Sequence, residues 1–291
     1  MGAVGQVAPP ERRSTAFGLV TVAFSIGMFI MAPLLQYLIN LHGWSVALQA
    51  SGGLVLIISV LALGLPGNTT KTKKSNDSET ESKLTLLKTI NGAMNHSGYL
   101  LLNVGFFVCG FHVAFIGTHL PSFLQSEGIS INTASWALAM IGLFNMFGSM
   151  IFGRMGDSLS KKNLLSLLYT LRAVVIAGFL AIPLNEITAI AFGAAIGFLW
   201  LATVPLTSGI VAQVFGTRYL STLWAIVFFS HQLGAFLGVW LGGRVYDATG
   251  TYTPVWLASI ALGLLAGIIH LPIREQPWKP SALEPQTSGS D

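Results

Sequence analysis

The sequence predicts an all-α membrane protein with about eight membrane-spanning helices, and three observations support this fold class. The chain of 291 residues is 53% hydrophobic and only 9% charged, whereas a soluble domain carries about 25% charged residues. Its mean hydropathy is +0.69. A spanning helix needs roughly 20 mostly apolar residues, and eight stretches meet this requirement: 15–40, 44–65, 98–124, 132–152, 163–183, 187–214, 219–246 and 253–272.

The basic residues predict how these spans are oriented. Thirteen of the fifteen Lys and Arg residues fall on the side of the N-terminus, here called side one. Arg244 falls on the opposite side and Arg172 falls inside a span. Because short cytoplasmic loops carry an excess of Lys and Arg, side one is predicted to be cytoplasmic, with both termini in the cytoplasm and the spans in the inner membrane. The basic residues lie in short gaps and form no continuous basic face, which disfavours nucleic-acid binding.

Composition divides the chain into four segments. Residues 1–66 hold the first two spans, and residues 67–97 form a polar linker on side one. Residues 98–275 hold the other six spans, and residues 276–291 form a polar tail that is predicted to be disordered. The second half of the linker has apolar residues on one side of a helix, which is predicted to lie along the membrane surface.

The first two spans and the last two form an internal repeat. Ser14–Thr15 aligns with Ser221–Thr222, Gly27 with Gly234, and Gly43 with Gly250, always 207 residues apart. In each copy a helix begins after Ser-Thr, crosses, turns and returns. Such parallel repeats occur in transporters that are built from two six-helix halves. The six spans after the linker are therefore predicted to form one complete half, and the two before it to be the end of the other half.

Three segments carry a resemblance to a known family. The segment GRMGDSLSKK, 153–162, fits the loop signature G-x-x-x-D-x-x-x-basic-basic. PPERRSTAFG, 9–18, and GGRVYDATGTY, 242–252, are similar to the entry of a fifth helix and the outer end of an eleventh. The sequence thus resembles the major facilitator superfamily and, within it, the bacterial relatives of the monocarboxylate transporters. The resemblance covers residues 9–275 and implies helices five to twelve of a twelve-helix fold, truncated at the N-terminal side.

The resemblance implies secondary active transport of a small organic solute, such as a monocarboxylate anion, by alternating access with or without coupling to protons. The family's central cavity is lined by both halves, and helices one to four are absent here. Three alternatives therefore stay open: the intact protein is longer, the chain is a degraded descendant, or it pairs with a second chain or with complementing N-terminal helices. The alternative function is an accessory membrane protein without transport activity of its own.

The resemblance also implies a role for the carboxylate of Asp157. In the family this acid lies at the start of the fifth helix, which is here residues 13–15. A helix N-terminus carries about half a positive charge, and Arg12 and Arg13 would add to it. Asp157 is therefore predicted to latch the two halves together in the outward-facing state. The alternative is that Asp157 only caps the helix that follows it. The predicted latch comprises Arg13, Gly153, Arg154, Asp157, Lys161 and Lys162.

Polar residues within the spans are the candidates for substrate binding or proton coupling. No Asp or Glu lies deep in any span, so a coupled proton is expected on a histidine, with His112 and His231 as candidates, or on the missing helices. The alternative for each is a neutral histidine that is hydrogen-bonded between helices, as predicted for His119. Arg172 lies roughly 15 Å deep and has three alternatives: to bind an anion, to extend to the membrane surface or to pair structurally. The remaining candidates are Asn103, Asn145, Trp200, Thr203 and Gln232, of which Trp200 has packing as an equal alternative.

Other features disfavour an enzyme and a metal protein. The single cysteine, Cys109, allows neither an internal disulfide nor a cysteine metal cluster, and no cofactor is expected. The sequence contains neither H-E-x-x-H nor G-x-S-x-G. Pro205 is predicted to kink its helix. Small residues at four-residue spacing are predicted to let helices pack closely: Gly193, Gly197, Gly234, Gly238 and Gly242.

Overall fold

A computed structural model of the chain describes residues 2–62 and 86–278, and these residues form helices and connecting turns without any strand. The all-α prediction is therefore confirmed. The helices are α1 (Gly2–Val7), α2 (Arg13–Ala62), α3 (86–94), α4 (Ser97–Ser126), α5 (Ile131–Ser158), α6 (Lys161–Ala181), α7 (Glu186–Leu199), α8 (Thr203–Phe215), α9 (Leu220–Thr249) and α10 (Thr253–His270).

Seven stretches of the described residues are helical, long and apolar enough to cross a membrane, whereas the sequence predicts eight. The difference arises in α2, which contains the first two predicted spans. Gly43 interrupts its helical geometry with φ 79° and ψ 170°, a conformation that a residue with a side chain adopts only with strain. Two helices therefore meet at Gly43, and the predicted span 44–65 continues past the described residues. The span predicted at 187–214 comprises α7 and α8, which are separated by three residues.

Local sequence signals account for where several helices begin and end. The side chain of Ser130 accepts from Thr133 N before α5, and Asn185 forms a capping box with Thr188 before α7. The repeat is visible in the structure as well. Helices α2 and α9 begin at Arg13 and Leu220, 207 residues apart, and the repeat-related Gly43 and Gly250 both have positive φ.

The bundle is held together by four helix pairs: α2 with α5, α4 with α9, α5 with α7, and α6 with α10. Glycines allow close approach between α5 and α7 and between α4 and α9. A Cβ placed on Gly197 of α7 would lie 2.6 Å from the Cα of Ile141 in α5. A Cβ on Gly238 of α9 would lie 2.5 Å from the carbonyl oxygen of Phe111 in α4. Gly193 lies likewise against α5, Gly234 against α4, and Gly242 against the ring of His119.

The linker and the tail fall only partly within the described residues. Helix α3 occupies the part of the linker where an amphipathic helix is predicted, and Ala93 is buried there. Residues 67–85 and 279–291 lie outside the described residues. Trp278 is anchored, since its N–H donates to the carbonyl of Val214 at 2.8 Å and its ring lies 5.8 Å from that of Phe215.

Candidate functional site

The carboxylate of Asp157 lies at the N-terminus of α2, in the segment that the sequence analysis names as its partner. Oδ1 accepts from Ser14 N at 2.8 Å. Oδ2 accepts from Thr15 N at 3.1 Å and from Thr15 Oγ1 at 2.5 Å. These amides belong to the first turn of α2, where no intrahelical acceptor is available and where the helix dipole favours negative charge. One side chain thus joins α5 to α2 across 142 positions of sequence.

The alternative role for Asp157, capping the helix that follows it, is taken by a different acid. Oε1 of Glu275 accepts from Lys162 N at 2.6 Å and from Ser160 Oγ at 3.3 Å, at the start of α6. Ser160 itself, the residue before α6, forms no side-chain capping bond. The segment that follows α10 therefore caps α6, which leaves Asp157 to bond α2.

The basic residues of the loop lie around this contact without forming an ion pair to Asp157 among the described residues. Lys161 Nζ donates to Gln213 Oε1 at 2.8 Å, and Lys162 Nζ donates to the carbonyl of Leu271 at 2.8 Å. The Nε atom of Arg13 is buried and has no hydrogen-bond partner among the described residues. Arg154 lies on a neighbouring groove between α2 and α5. A cavity of about 630 Å³ opens beside Asp157, and its charged lining residues are Arg13, Asp157, Lys161 and Glu275.

Asn145 lies fully buried midway along α5 and bonds in two directions. Its Nδ2 donates to Ser25 Oγ of α2 at 2.9 Å. Its Oδ1 accepts from Leu201 N at 2.8 Å and from Ser149 Oγ at 3.2 Å. Leu201 belongs to the three residues between α7 and α8. Asn145 therefore connects the first-half helix α2 to the interruption of a membrane span.

Arg172 donates hydrogen bonds to the backbone carbonyls on the other side of this interruption. The side chain is only 1% exposed, and its Nε and Nη2 donate to the carbonyl of Leu199 at 3.0 and 2.6 Å. Nη2 also donates to the carbonyl of Trp200. These carbonyls form the C-terminal end of α7, where the helix dipole favours a cation. Of the three alternatives for Arg172, the geometry favours structural pairing, and the side chain does not extend to the surface.

The interruption between α7 and α8 has a local cause in Pro205. A proline lacks the N–H that would bond to the carbonyl of residue 201, and Val204 N takes that carbonyl instead at 2.9 Å. Pro205, predicted to kink a helix, thus lies in the first turn of α8, directly after the helix has been interrupted at residues 200–202. The ring of Trp200 is only 2% exposed and packs in the hydrophobic core, which favours the packing alternative for this residue.

Two of the candidate histidines, His112 and His119, have partners on another helix, whereas the polar partner of His231 lies on its own helix. His112 Nε2 lies 2.8 Å from the carbonyl of Ser259 in α10, while its buried Nδ1 has no hydrogen-bond partner within the described part of the chain. His119 Nε2 lies 2.9 Å from the carbonyl of Val239 in α9, the structural role predicted for it. His231 Nδ1 lies 3.1 Å from Oε1 of the exposed Gln232, and its ring stacks on that of Phe228 at 5.3 Å.

The candidate residues do not gather around a single cavity. Two of them, Thr203 and Arg172, contact Cys109, a residue that sequence reasoning did not select. Cys109 Sγ lies 3.3 Å from Thr203 Oγ1 and accepts from Arg172 Nη1 at 3.5 Å. Asn103, in contrast, bonds to the carbonyl of Tyr99 within α4. Sequence reasoning also missed Glu275, because nothing in its local sequence marks it as a cap for α6.

Seven stretches of the described residues are long and apolar enough to cross a membrane, and they define a multi-pass membrane protein. The model of the Major Facilitator Superfamily matches residues 1–202 and 102–288. The chain therefore belongs to this superfamily.

Similar proteins include transporters from animals and an uncharacterised bacterial protein. The chain is 26% identical to Monocarboxylate transporter 12 of Mus musculus, with 90% of this chain and 60% of the relative covered. It is 27% identical to Monocarboxylate transporter 13 of Rattus norvegicus, with the same coverage. It is 24% identical to the uncharacterized MFS-type transporter YcxA of Bacillus subtilis, over 89% of this chain and 64% of the relative. The chain thus spans about 60% of the length of the relatives it matches.

Proposed function

We propose that the chain acts in secondary active transport of a small organic anion, such as a monocarboxylate, by alternating access with coupling to protons. It lies in the inner membrane, with side one in the cytoplasm and no enzymatic step. The observation that carries the proposal is the contact of Asp157 with Ser14 and Thr15. This contact joins the two halves at the end of the bundle where the basic residues concentrate.

The proposed transport cycle uses this contact as a latch. While the carboxylate holds the first turn of α2, helices α2 and α5 are closed together at side one, which corresponds to an outward-facing state. Opening toward the cytoplasm requires three hydrogen bonds to break together. A carboxylate that leaves these amides enters water, which solvates it well, so the contact can open and close at moderate cost.

The similarity to monocarboxylate transporters supports the anion as the transported class. The basic side chains of Arg13 and Lys161 line the cavity beside the latch. In the proposed cycle they attract an anion to the cytoplasmic mouth once the latch has opened.

Uptake into proteoliposomes tests the proposal. The purified chain is reconstituted, and uptake of a labelled monocarboxylate is followed under an imposed pH gradient. We expect uptake by the wild-type chain and at least roughly fivefold slower uptake by Asp157→Asn, because the expected loss of about 2–3 kcal/mol in the closed state exceeds the roughly 1 kcal/mol that corresponds to a factor of five. Asp247→Asn is the matched control, because Asp247 is exposed at the opposite end of α9. Equal uptake by both variants would refute the latch.

A second candidate function, an accessory chain that needs a partner for transport, is supported by one observation. Gly234 of α9 packs tightly against α4, whereas a Cβ on its repeat counterpart, Gly27 of α2, would meet nothing within 4 Å. The equivalent face of α2 is therefore uncovered among the described residues. Uptake measured with this chain alone and with a chain extended by four N-terminal spans distinguishes the two functions: uptake only by the extended chain favours the second.

A further inference from the structure

Four charged side chains, two acids and two cations, line the cavity of about 630 Å³ beside the latch. Asp157 holds the first turn of α2, and Glu275 caps α6. The two cations are Arg13, the first residue of α2, and Lys161, the first residue of α6. Neither cationic side chain takes part in these two contacts, so the closed latch does not account for the basic lining of the cavity.

The two acids of the cavity are already bonded to helix N-termini. The carboxylate of Asp157 accepts from the amides of Ser14 and Thr15 at 2.8 and 3.1 Å. The carboxylate of Glu275 accepts from Lys162 N at 2.6 Å. The first turn of a helix carries about half a positive charge, so donors of the fold oppose both carboxylates. The acids are therefore not free to neutralise the cations of the cavity by direct pairing.

Both cations keep donors available for a ligand. The Nε atom of Arg13 is buried and lacks a hydrogen-bond partner in the part of the chain that the structure describes. Lys161 Nζ donates to Gln213 Oε1 at 2.8 Å, which uses one of the three hydrogens of the ammonium group. A buried donor without an acceptor is costly and requires an explanation. The oxygen of an anion in this cavity would supply the acceptor.

A glycine of α8 keeps the cavity open between its two walls. A Cβ placed on Gly209 would lie 2.9 Å from Ser14 Oγ and 3.0 Å from Cε of Lys161. The start of α2 and the stem of Lys161 therefore approach the same point on α8. The exposed Ser158 and the half-buried Ser160 add hydroxyl groups to the lining. The cavity thus has donors on α2, on α6 and on the loop between α5 and α6.

We propose that this cavity is a binding site for a phosphate group, which bridges Arg13 and Lys161 while side one is closed. A phosphate group carries roughly −1.5 to −2 charge at neutral pH and has three acceptor oxygens, so one group is able to pair with both cations. Arginine binds phosphate through two parallel N–H groups, and lysine binds it as a point charge. A monocarboxylate carries a single charge and compensates only one of the two cations. Inorganic phosphate and the headgroup of phosphatidic acid share the required chemistry.

A bound phosphate holds together the same two units that Asp157 joins. Arg13 belongs to α2, which precedes the linker, and Lys161 belongs to α6, which follows it. The two cations move apart when α2 leaves α5, so the site is complete only in the closed arrangement. A ligand that binds one state alone shifts the equilibrium toward that state. In the proposed transport cycle, phosphate at side one therefore slows opening toward the cytoplasm. This consequence rests on the proposed function, whereas the binding site does not.

Hydrogen–deuterium exchange of the purified chain in phosphatidylcholine nanodiscs tests the site. The amides of Ser14 and Thr15 are followed in sodium phosphate and in sodium chloride of equal ionic strength. We expect exchange to slow with phosphate, about twofold at a concentration equal to the dissociation constant and about tenfold at ten times that concentration. Arg13→Gln should reduce the effect to less than about twofold at the higher concentration. Arg12→Gln is the matched control and should keep it, because it removes the same charge from an exposed neighbour that does not line the cavity.

A second variant keeps the test decisive if Arg13→Gln does not fold. Lys161→Gln removes the other cation, and it too should reduce the effect of phosphate to less than about twofold. Lys88→Gln, a change on an exposed residue of α3, is its matched control and should respond to phosphate as the wild type does.

Nanodiscs that contain phosphatidic acid, without free phosphate, distinguish the two sources of the ligand. Slower exchange in these nanodiscs assigns the site to a lipid headgroup, slower exchange with free phosphate assigns it to the soluble anion, and either result supports the site. Exchange that neither ligand changes, or that phosphate slows equally in Arg13→Gln and Arg12→Gln, would overturn the inference. Slower exchange in a chain that transports nothing would support the site and refute the proposed function. Transport by a chain whose exchange neither ligand changes would do the reverse.

Discussion

Replacing Asp157 with asparagine tests the contact between α5 and α2 most directly. The substitution keeps the shape of the side chain and one acceptor oxygen, but it removes the charge and points an amide N–H₂ at donors. The carboxylate accepts three hydrogen bonds, at 2.8, 3.1 and 2.5 Å. Hydrogen bonds to charged groups contribute about 1.5–3 kcal/mol each, and an acid at a helix N-terminus contributes about 0.3–1 kcal/mol.

With one acceptor retained and part of the site exposed, we expect Asp157→Asn to weaken the contact by about 2–3 kcal/mol, which corresponds to roughly a 30–150-fold shift of the closed–open equilibrium. Hydrogen–deuterium exchange measures this shift, because the amides of Ser14 and Thr15 are protected only while the contact is closed. Their exchange should accelerate by a similar factor.

Glu275→Gln is the matched control for this experiment. Glu275 caps α6 in the same way, through Lys162 N at 2.6 Å, so its substitution should accelerate exchange at the start of α6 and leave Ser14 and Thr15 unchanged. If exchange at the start of α2 stays the same in Asp157→Asn, the carboxylate does not hold the helix, and the latch is refuted.

Three further predictions concern stability, each read from thermal unfolding in detergent. Asn145→Leu leaves the buried N–H of Leu201 without an acceptor and should cost about 2–4 kcal/mol; an unchanged Tm would show that the helix break needs no such acceptor. Gly197→Ala should destabilise by about 1–3 kcal/mol through overpacking, whereas Gly178→Ala, whose Cβ would meet nothing within 4 Å, should be neutral or stabilising, and equal effects would contradict the close seam. Burial, aided by the charge of Arg274, lowers the pKa of His96 below its ordinary value of 6.5. The unfolded chain therefore binds a proton that the folded chain does not, and stability should fall as pH drops below about 6.5. His96→Asn, a capping residue that does not titrate, should flatten this slope, and an unaltered slope would exclude the histidine as its source.

The helices and their ends were largely predictable from sequence because the signals that produce them are local. Ser130 and Asn185 cap helices within three residues of themselves. The repeat predicted related helix starts, and Arg13 and Leu220 begin helices 207 residues apart. The count of spans differed by one because a single helical segment, α2, contains the first two predicted spans. Gly43 interrupts its helical geometry without separating the two parts into distinct helices.

The site was only partly predictable. The partner of Asp157 was predicted from the resemblance to the family. Asp157 and Thr15 are 142 positions apart, and no sequence pattern over that distance indicates that they are in contact. Arg172 could not be placed from sequence because its partners are the backbone carbonyls of Leu199 and Trp200. A backbone carbonyl is the same in every residue, so a sequence offers no sign of where such an acceptor is free.

Hydropathy, charge distribution and the loop signature by themselves determine that this chain is a multi-pass membrane protein of its superfamily. These properties depend on composition and on spacing along the chain. The lipid environment requires each span to bond its own backbone groups, so an apolar stretch of sufficient length becomes a helix. The tertiary structure alone decides which acid caps which helix and which groups surround Cys109. Cys109, Arg172 and Thr203 lie on three different helices, so they meet only after these helices have packed.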